Sequence, residues 1–145
     1  MSVNDASNGR ADREAITMKD AGLLVLRLGF VSVLIWKHGI DKISAFSADP
    51  IEFFDPIGLG PALSLTLAAF AEIVCAAAVA AGIFSRTACA ILGLNFAVIV
   101  LVLHGAQVPG DRGELALLFM IAFGVLLVTG PGRYSLDEQL AHRAS

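Results

Sequence analysis

Ionisable and amide side chains that could bind a small molecule or move protons occur inside long apolar stretches of this sequence. Arg27 and Glu72 lie within the first and second stretches, and Asn95 lies within the third. A charge in hydrocarbon is costly unless it has a partner or faces a cavity. We therefore predict that Arg27 and Glu72 form an ion pair inside the protein, which Asn95 could join. Such a pair either fixes the helix register or forms a functional polar centre.

A second polar cluster is expected where the apolar helices end. The first helix would end with His38, Asp41 and Lys42, the third at His104, and the fourth would begin at Glu114. Imidazoles and carboxylates at one level could bind the polar head of a ligand or carry protons. Glu114 would also complement the helix dipole at its N-terminus. A metal site is disfavoured, because no ligand spacing of the His-x-x-x-His kind is present.

Four apolar stretches must position these side chains. They cover residues 21–40, 61–84, 87–103 and 115–129 of the 145. About 20 helical residues span a bilayer, and a mean hydropathy of +0.77 is too high for a soluble chain of this size. We predict an all-α bundle of four transmembrane helices with short loops, except for a longer first outer loop.

The predicted organisation has three parts: a mobile cytoplasmic leader (residues 1–20), a membrane domain (21–137) and a C-terminal tail (138–145). Charges within the first apolar stretch disfavour a cleaved signal peptide. Ser135 and Glu138 have the spacing of a capping box, which would start a short C-terminal helix. Basic residues are more numerous on the side of the termini, so the positive-inside rule predicts that both termini are cytoplasmic.

The first outer loop and the two cysteines suggest structural roles. The loop contains Phe46, Phe53 and Phe54 together with prolines, a composition suited to the membrane interface, and it could form a lid over the bundle. Its acidic residues argue against nucleic-acid binding, for which a basic face is expected. Cys75 and Cys89 should differ in depth by about 9 Å, too much for a disulfide. We expect both to be packing residues.

Several short motifs occur along the chain in a characteristic order. They are Arg27, His38-Gly39-Ile40-Asp41-Lys42-Ile43, Glu72, Gly82-Ile83-Phe84-Ser85-Arg86, His104, Gly113-Glu114 and Gly130-Pro131-Gly132-Arg133-Tyr134-Ser135-Leu136-Asp137. In order and spacing they resemble the DoxX family of small four-helix membrane proteins, over nearly all of residues 24–137. That family takes its name from a subunit of a thiosulfate:quinone oxidoreductase. The resemblance implies a membrane subunit of a quinone-linked or thiol and sulfur redox system, in a bacterial cytoplasmic (inner) membrane.

The leading hypothesis is therefore a quinone-linked redox subunit, with Glu72 and Arg27 as its polar centre and the outer cluster handling a head group or protons. No intrinsic site for flavin, haem or an iron–sulfur cluster is evident in the sequence, so a partner would supply electrons and quinone is the possible ligand. The alternative is a non-enzymatic membrane anchor or assembly subunit, and small-molecule transport is a third hypothesis. Expected partners are the lipid bilayer and either another protein or further copies of the chain.

Overall fold

A computed structural model describes residues 3–103 and 113–144, including the side chains of residues 16–103 and 113–140. Over these residues the chain forms helices joined by turns and loops, which confirms the predicted all-α class. Among the residues whose side chains are described, three helical stretches are long and apolar enough to cross a membrane: Ile16–Ala45, Pro61–Ala81 and Ser85–Leu103. A fourth apolar helix, Gly113–Thr129, is shorter. We number them first to fourth in chain order.

Each of the first three helices changes its winding along its length. The first consists of Val3–Leu34, a π-helical segment at Ile35–Gly39, and Ile40–Ala45; the second of Pro61–Ala69, π-helical Phe70–Cys75, and Ala76–Ala81; the third of Ser85–Val98 and π-helical Ile99–Leu103. The π-helix is rare and occurs often at functional sites. The first helix begins at Val3, so it extends through the leader that the sequence predicted to be mobile. That mobility and the domain limits stay predictions.

Aromatic rings join the third and fourth helices in the core. Phe96 stacks on Phe119 with 4.9 Å between ring centroids, and Phe119 lies 6.2 Å from Phe123 in a parallel orientation. Cys75 and Cys89 are buried in the same core. Large apolar side chains elsewhere remain exposed on the outside of the bundle, where lipid is as apolar as the side chains themselves.

One end of the bundle, which we call the tail end, joins the turn after the second helix to the segment after the fourth. Gly82 in that turn has a φ of +75°, and a Cβ atom there would lie 2.6 Å from the Cβ atom of Ser135. The carboxylate of Asp137 accepts the backbone N–H groups of Phe84 and Ser85 at 3.0 and 3.1 Å. These groups begin the third helix and would otherwise have no helical partner. The tail segment thus caps the third helix.

A short helix, Leu136–Ala144, follows this contact, as the sequence predicted. The hydroxyl of Ser135 accepts the backbone N–H of Glu138 at 3.3 Å, which confirms the capping role predicted for Ser135. The opposite end of the bundle, which we call the loop end, contains residues 46–60 between the first and second helices. This connection is the longer first loop that the sequence predicted.

The contact at Gly82 predicts a steric effect on stability. We expect Gly82→Ala to lower the free energy of unfolding by ~2 kcal/mol or more, because an alanine is strained at positive φ and its Cβ would overlap Ser135. Gly93→Ala is the matched control, since no atom outside its own helix lies within 4 Å of a Cβ at Gly93. Its stability should be unchanged or slightly higher. Equal stability of both variants, measured by reversible unfolding in mixed micelles, would contradict the packing at Gly82.

Candidate functional site

The carboxylate of Glu72 is held between two neighbouring helices. The ammonium group of Lys42 donates a hydrogen bond to Oε2 at 2.6 Å, and the amide nitrogen of Asn95 donates to Oε1 at 3.0 Å. The side chain of Glu72 is 1% exposed and that of Lys42 is 13% exposed. The pair is therefore largely removed from solvent, and each charge has the partner that a buried charge requires.

The predicted ion pair between Arg27 and Glu72 is wrong. Arg27 is buried at the tail end, where Nη1 donates to the carbonyl of Pro131 at 3.0 Å and Nη2 donates to the carbonyl of Tyr134 at 2.7 Å. Along the first helix, Lys42 follows Arg27 by a distance of about 22 Å. Lys42 lies at the level of Glu72, and Arg27 does not. Arg27 therefore secures the tail segment and does not belong to the polar centre.

His38 lies beside the Lys42–Glu72 pair in the first helix. Its Nε2 atom is buried and has no hydrogen-bond partner among the described residues. Its ring meets the ring of Phe119 edge-on, with 6.0 Å between centroids. Buried polar atoms in proteins nearly always have a partner, so this nitrogen lacks the hydrogen bond that its burial calls for. His38, Lys42, Glu72 and Asn95 all line one cavity.

Two π-helical segments position this cluster. His38 lies in the π-helical segment of the first helix, and Glu72 lies in that of the second. The two segments pack against each other, and Gly39 makes their approach possible. A Cβ atom at Gly39 would lie 3.2 Å from Cγ1 of Ile73 and 3.8 Å from the backbone carbonyl of Glu72. Both polar groups line the same cavity, and π-helical turns within α-helices are frequent at functional sites.

The cavity at the loop end has a volume of about 750 Å³. Sites that hold small molecules and cofactors have volumes of roughly 300–1,000 Å³, with apolar walls and a few polar groups. Besides the polar cluster, its walls consist of Phe53, Phe54, Pro56, Ile57, Ser64, Leu67, Ala68, Phe70, Ala71, Ile91, Leu94, Phe96, Val98, Ile99, Leu103, Leu115, Ala116 and Phe119. The site thus combines a large apolar volume with a compact polar centre.

Asp55 connects the loop over this cavity to the start of the second helix by hydrogen bonds. Its carboxylate accepts the hydroxyl of Ser64 at 2.8 Å and the backbone N–H groups of Gly60 and Leu59 at 2.7 and 3.0 Å. These hydrogen bonds, led by the one from Ser64, hold the pKa of Asp55 below its ordinary value. The aromatic residues just before Asp55 line the cavity, so the loop lies where the sequence suggested a lid.

Two further candidates from the sequence, Asp41 and Glu114, do not join the described cluster. Asp41 and Glu114 are exposed and do not contribute to the cavity wall that the described residues form. His104 lies outside the described residues, and its role stays a prediction. Sequence reasoning missed Phe119, which contacts both His38 and Phe96. Little in the sequence indicated that Phe119 belongs to the site, because aromatic residues in apolar helices usually serve only packing.

These features define a small membrane protein of several apolar helices, with a ligand-sized cavity at one end of the bundle. The family model for DoxX matches residues 22–105. The chain therefore belongs to the DoxX family, which confirms the resemblance seen in its motifs. The matched residues include the whole polar cluster of His38, Lys42, Glu72 and Asn95. No curated protein and no solved structure gives a significant match to the chain.

The observed ion pair predicts strong coupling between Lys42 and Glu72. We expect Glu72→Gln or Lys42→Met alone to lower the free energy of unfolding by about 3 kcal/mol, because each leaves a buried charge without its partner. The double variant should lose at least ~1 kcal/mol less than the sum of the two single losses. A cycle of Arg27→Met with Glu72→Gln should be additive. Additive losses for Lys42 and Glu72, measured in mixed micelles, would contradict the pair.

The hydrogen bonds of Asp55 predict a local effect on the loop. Asp55→Ala should accelerate backbone amide exchange at Leu59 and Gly60, measured in lipid discs and corrected for the intrinsic rate. Asp49→Ala, an exposed carboxylate in the same loop, should not. Because folding lowers the pKa of Asp55, the stabilisation from its hydrogen bonds is fully present above the pKa of the unfolded state. This stabilisation is lost as the pH falls through the lower folded pKa, below about pH 4. Identical amide exchange in the two variants would show that Asp55 does not hold the loop to the second helix.

Proposed function

We propose that this protein binds a quinone in the loop-end cavity, as a membrane subunit of a quinone-linked or thiol and sulfur redox system. The cavity carries the proposal, because its apolar walls surround one compact cluster of ionisable and amide groups. A quinone has the matching chemistry: a flat apolar ring with carbonyl oxygens that accept hydrogen bonds. Membership of the DoxX family supports the redox setting.

The cluster offers the groups that quinone chemistry needs. Reduction of a quinone to a quinol consumes two electrons and two protons. In its imidazolium form, His38 can donate a hydrogen bond through Nε2 to a quinone carbonyl and deliver one of the two protons. The electron donor would supply the other proton. The carboxylate of Glu72 can accept a hydrogen bond from a quinol hydroxyl. Phe119, which contacts His38, supplies an aromatic surface for the ring.

Electrons must come from a partner protein or from a second substrate, so the chain acts as a subunit and not as a complete oxidoreductase. The same proposal places the protein in a bacterial inner membrane with both termini in the cytoplasm. Arg86 and Arg133 are exposed at the tail end, which supports this orientation by the positive-inside rule. The quinone site then lies towards the outer face of that membrane.

A non-enzymatic anchor or assembly subunit is the second candidate function. The observation that favours it is the mutual pairing of Lys42, Glu72 and Asn95, since a fully paired cluster can hold helices together without a ligand. The buried Nε2 atom of His38 and the large cavity beside it favour quinone binding instead. The two candidates differ in whether these side chains affect a bound molecule or only the stability of the bundle.

Quinone content separates the two candidates. We expect wild-type protein in native-like lipid discs to retain quinone on extraction, and Glu72→Gln and His38→Leu to bind it at least tenfold more weakly, a loss of about 1.4 kcal/mol. Asp41→Asn is the control, because this exposed carboxylate lies near the site but outside the cavity wall. All samples are compared under conditions where each remains folded. Quinone absent from wild type, or equal in all variants, would favour the anchor.

A further inference from the structure

We infer that the cavity opens sideways into the bilayer between the second and third helices, and that its ligand is a quinone with an apolar chain that extends through this opening. The inference rests on the proposed function and adds two things to it. It specifies the route by which the ligand reaches the site, and it specifies the part of the ligand that lies outside the polar cluster.

Seven large apolar side chains that line the cavity are also exposed: Phe54, Ile57 and Leu103 at the loop end, and four along the second and third helices. Leu67 and Phe70 of the second helix are 49% and 48% exposed, and Ile91 and Leu94 of the third are 37% and 68% exposed. A side chain can line a cavity and be this exposed only if it lies at the cavity's edge. We call these four the portal residues. All are apolar, so the opening they surround suits lipid and not water.

The packing of the two helices explains why the opening lies there. The second helix packs against the third through Phe70–Cys75 and Ala76–Ala81. Its loop-end part, Pro61–Ala69, makes no comparable contact with the third helix among the described residues. The helices therefore lie close together towards the tail end and separate towards the loop end. Their separation begins beside Phe70 and leaves a gap at the level of Leu67.

The portal lies directly beside the polar cluster. Leu94 is exposed, and the next residue, Asn95, donates its hydrogen bond to Glu72. Phe70 precedes Glu72 by only two residues. Because successive helical residues point about 100° apart, one face of each helix meets lipid while the adjacent face meets the site. A ligand head that contacts Glu72 can thus continue into the bilayer without crossing water.

The charges of the site favour a quinone over a phospholipid as the occupant. The ammonium of Lys42 and the carboxylate of Glu72 neutralise each other at 2.6 Å, so the cluster has no surplus cation for a phosphate. A neutral ring needs only hydrogen bonds, and His38 offers a free nitrogen. On the loop side, Asp55 holds the segment that carries Phe53 and Phe54 against the start of the second helix, so the portal between the helices is the route that fits a chain-bearing ligand.

The test compares two benzoquinones with the same ring, one bearing a ten-carbon chain and the other a methyl group. Binding is measured in lipid discs at equal mole fraction in the membrane, so that partitioning cancels. We expect wild type to bind both. Leu94→Trp fills the portal from an exposed position. It should weaken binding of the long-chain quinone at least tenfold and change binding of the methyl quinone less than twofold. Leu118→Trp, at a 53% exposed leucine outside the cavity wall, should change neither.

Leu67→Trp narrows the same opening from the second helix and should repeat the result of Leu94→Trp. If the portal variants weaken binding of neither quinone, or of both equally, the inference of a portal is wrong while quinone binding stands. If wild type binds neither probe, the proposed function is overturned and the portal with it. A photoreactive group in the middle of the ten-carbon chain should crosslink to the second and third helices. Crosslinks confined to residues 46–60 would also overturn the portal.

Discussion

A carboxylate that lies inside an apolar bundle must be neutralised, and the pairing of Glu72 satisfies that requirement. Its partners come from the first and third helices, so one charge fixes the relative position of three chain segments. The rest of the loop end follows from this contact. Gly39 allows the first and second helices to approach closely enough for Lys42 to reach the carboxylate. The cavity then remains beside the pair, where the second and third helices separate.

Hydropathy was sufficient to predict the all-α class, the need to bury Arg27 and Glu72 inside the bundle, and the longer first loop. It was insufficient to choose the partner of Glu72. Which cation pairs with Glu72 depends on the depth of each side chain in the bundle. That depth depends on where each helix begins and ends. Arg27 and Glu72 both lie within apolar stretches, yet Arg27 is level with Gly82 at the tail end. The π-helical segments leave no mark in hydropathy, so the changes in winding at His38 and Glu72 could not be predicted.

The two ends of the bundle meet different physical demands. At the tail end, Arg27 and Asp137 bind backbone groups of other segments, which fixes the chain where its turns come together. At the loop end, Asp55 holds only the covering loop and the start of the second helix. The helices pack closely at one end of the bundle and separate at the other. The bundle can therefore bind a small molecule without unfolding.

The cap that Asp137 places on the third helix has a consequence for biosynthesis. The chain emerges from the ribosome in order, so the third helix is made long before the residue that satisfies its first N–H groups. The fourth helix must also be in place before the tail segment can reach back to the turn. The tail end is therefore completed last, and a nascent chain released before residue 137 would lack the cap on the third helix.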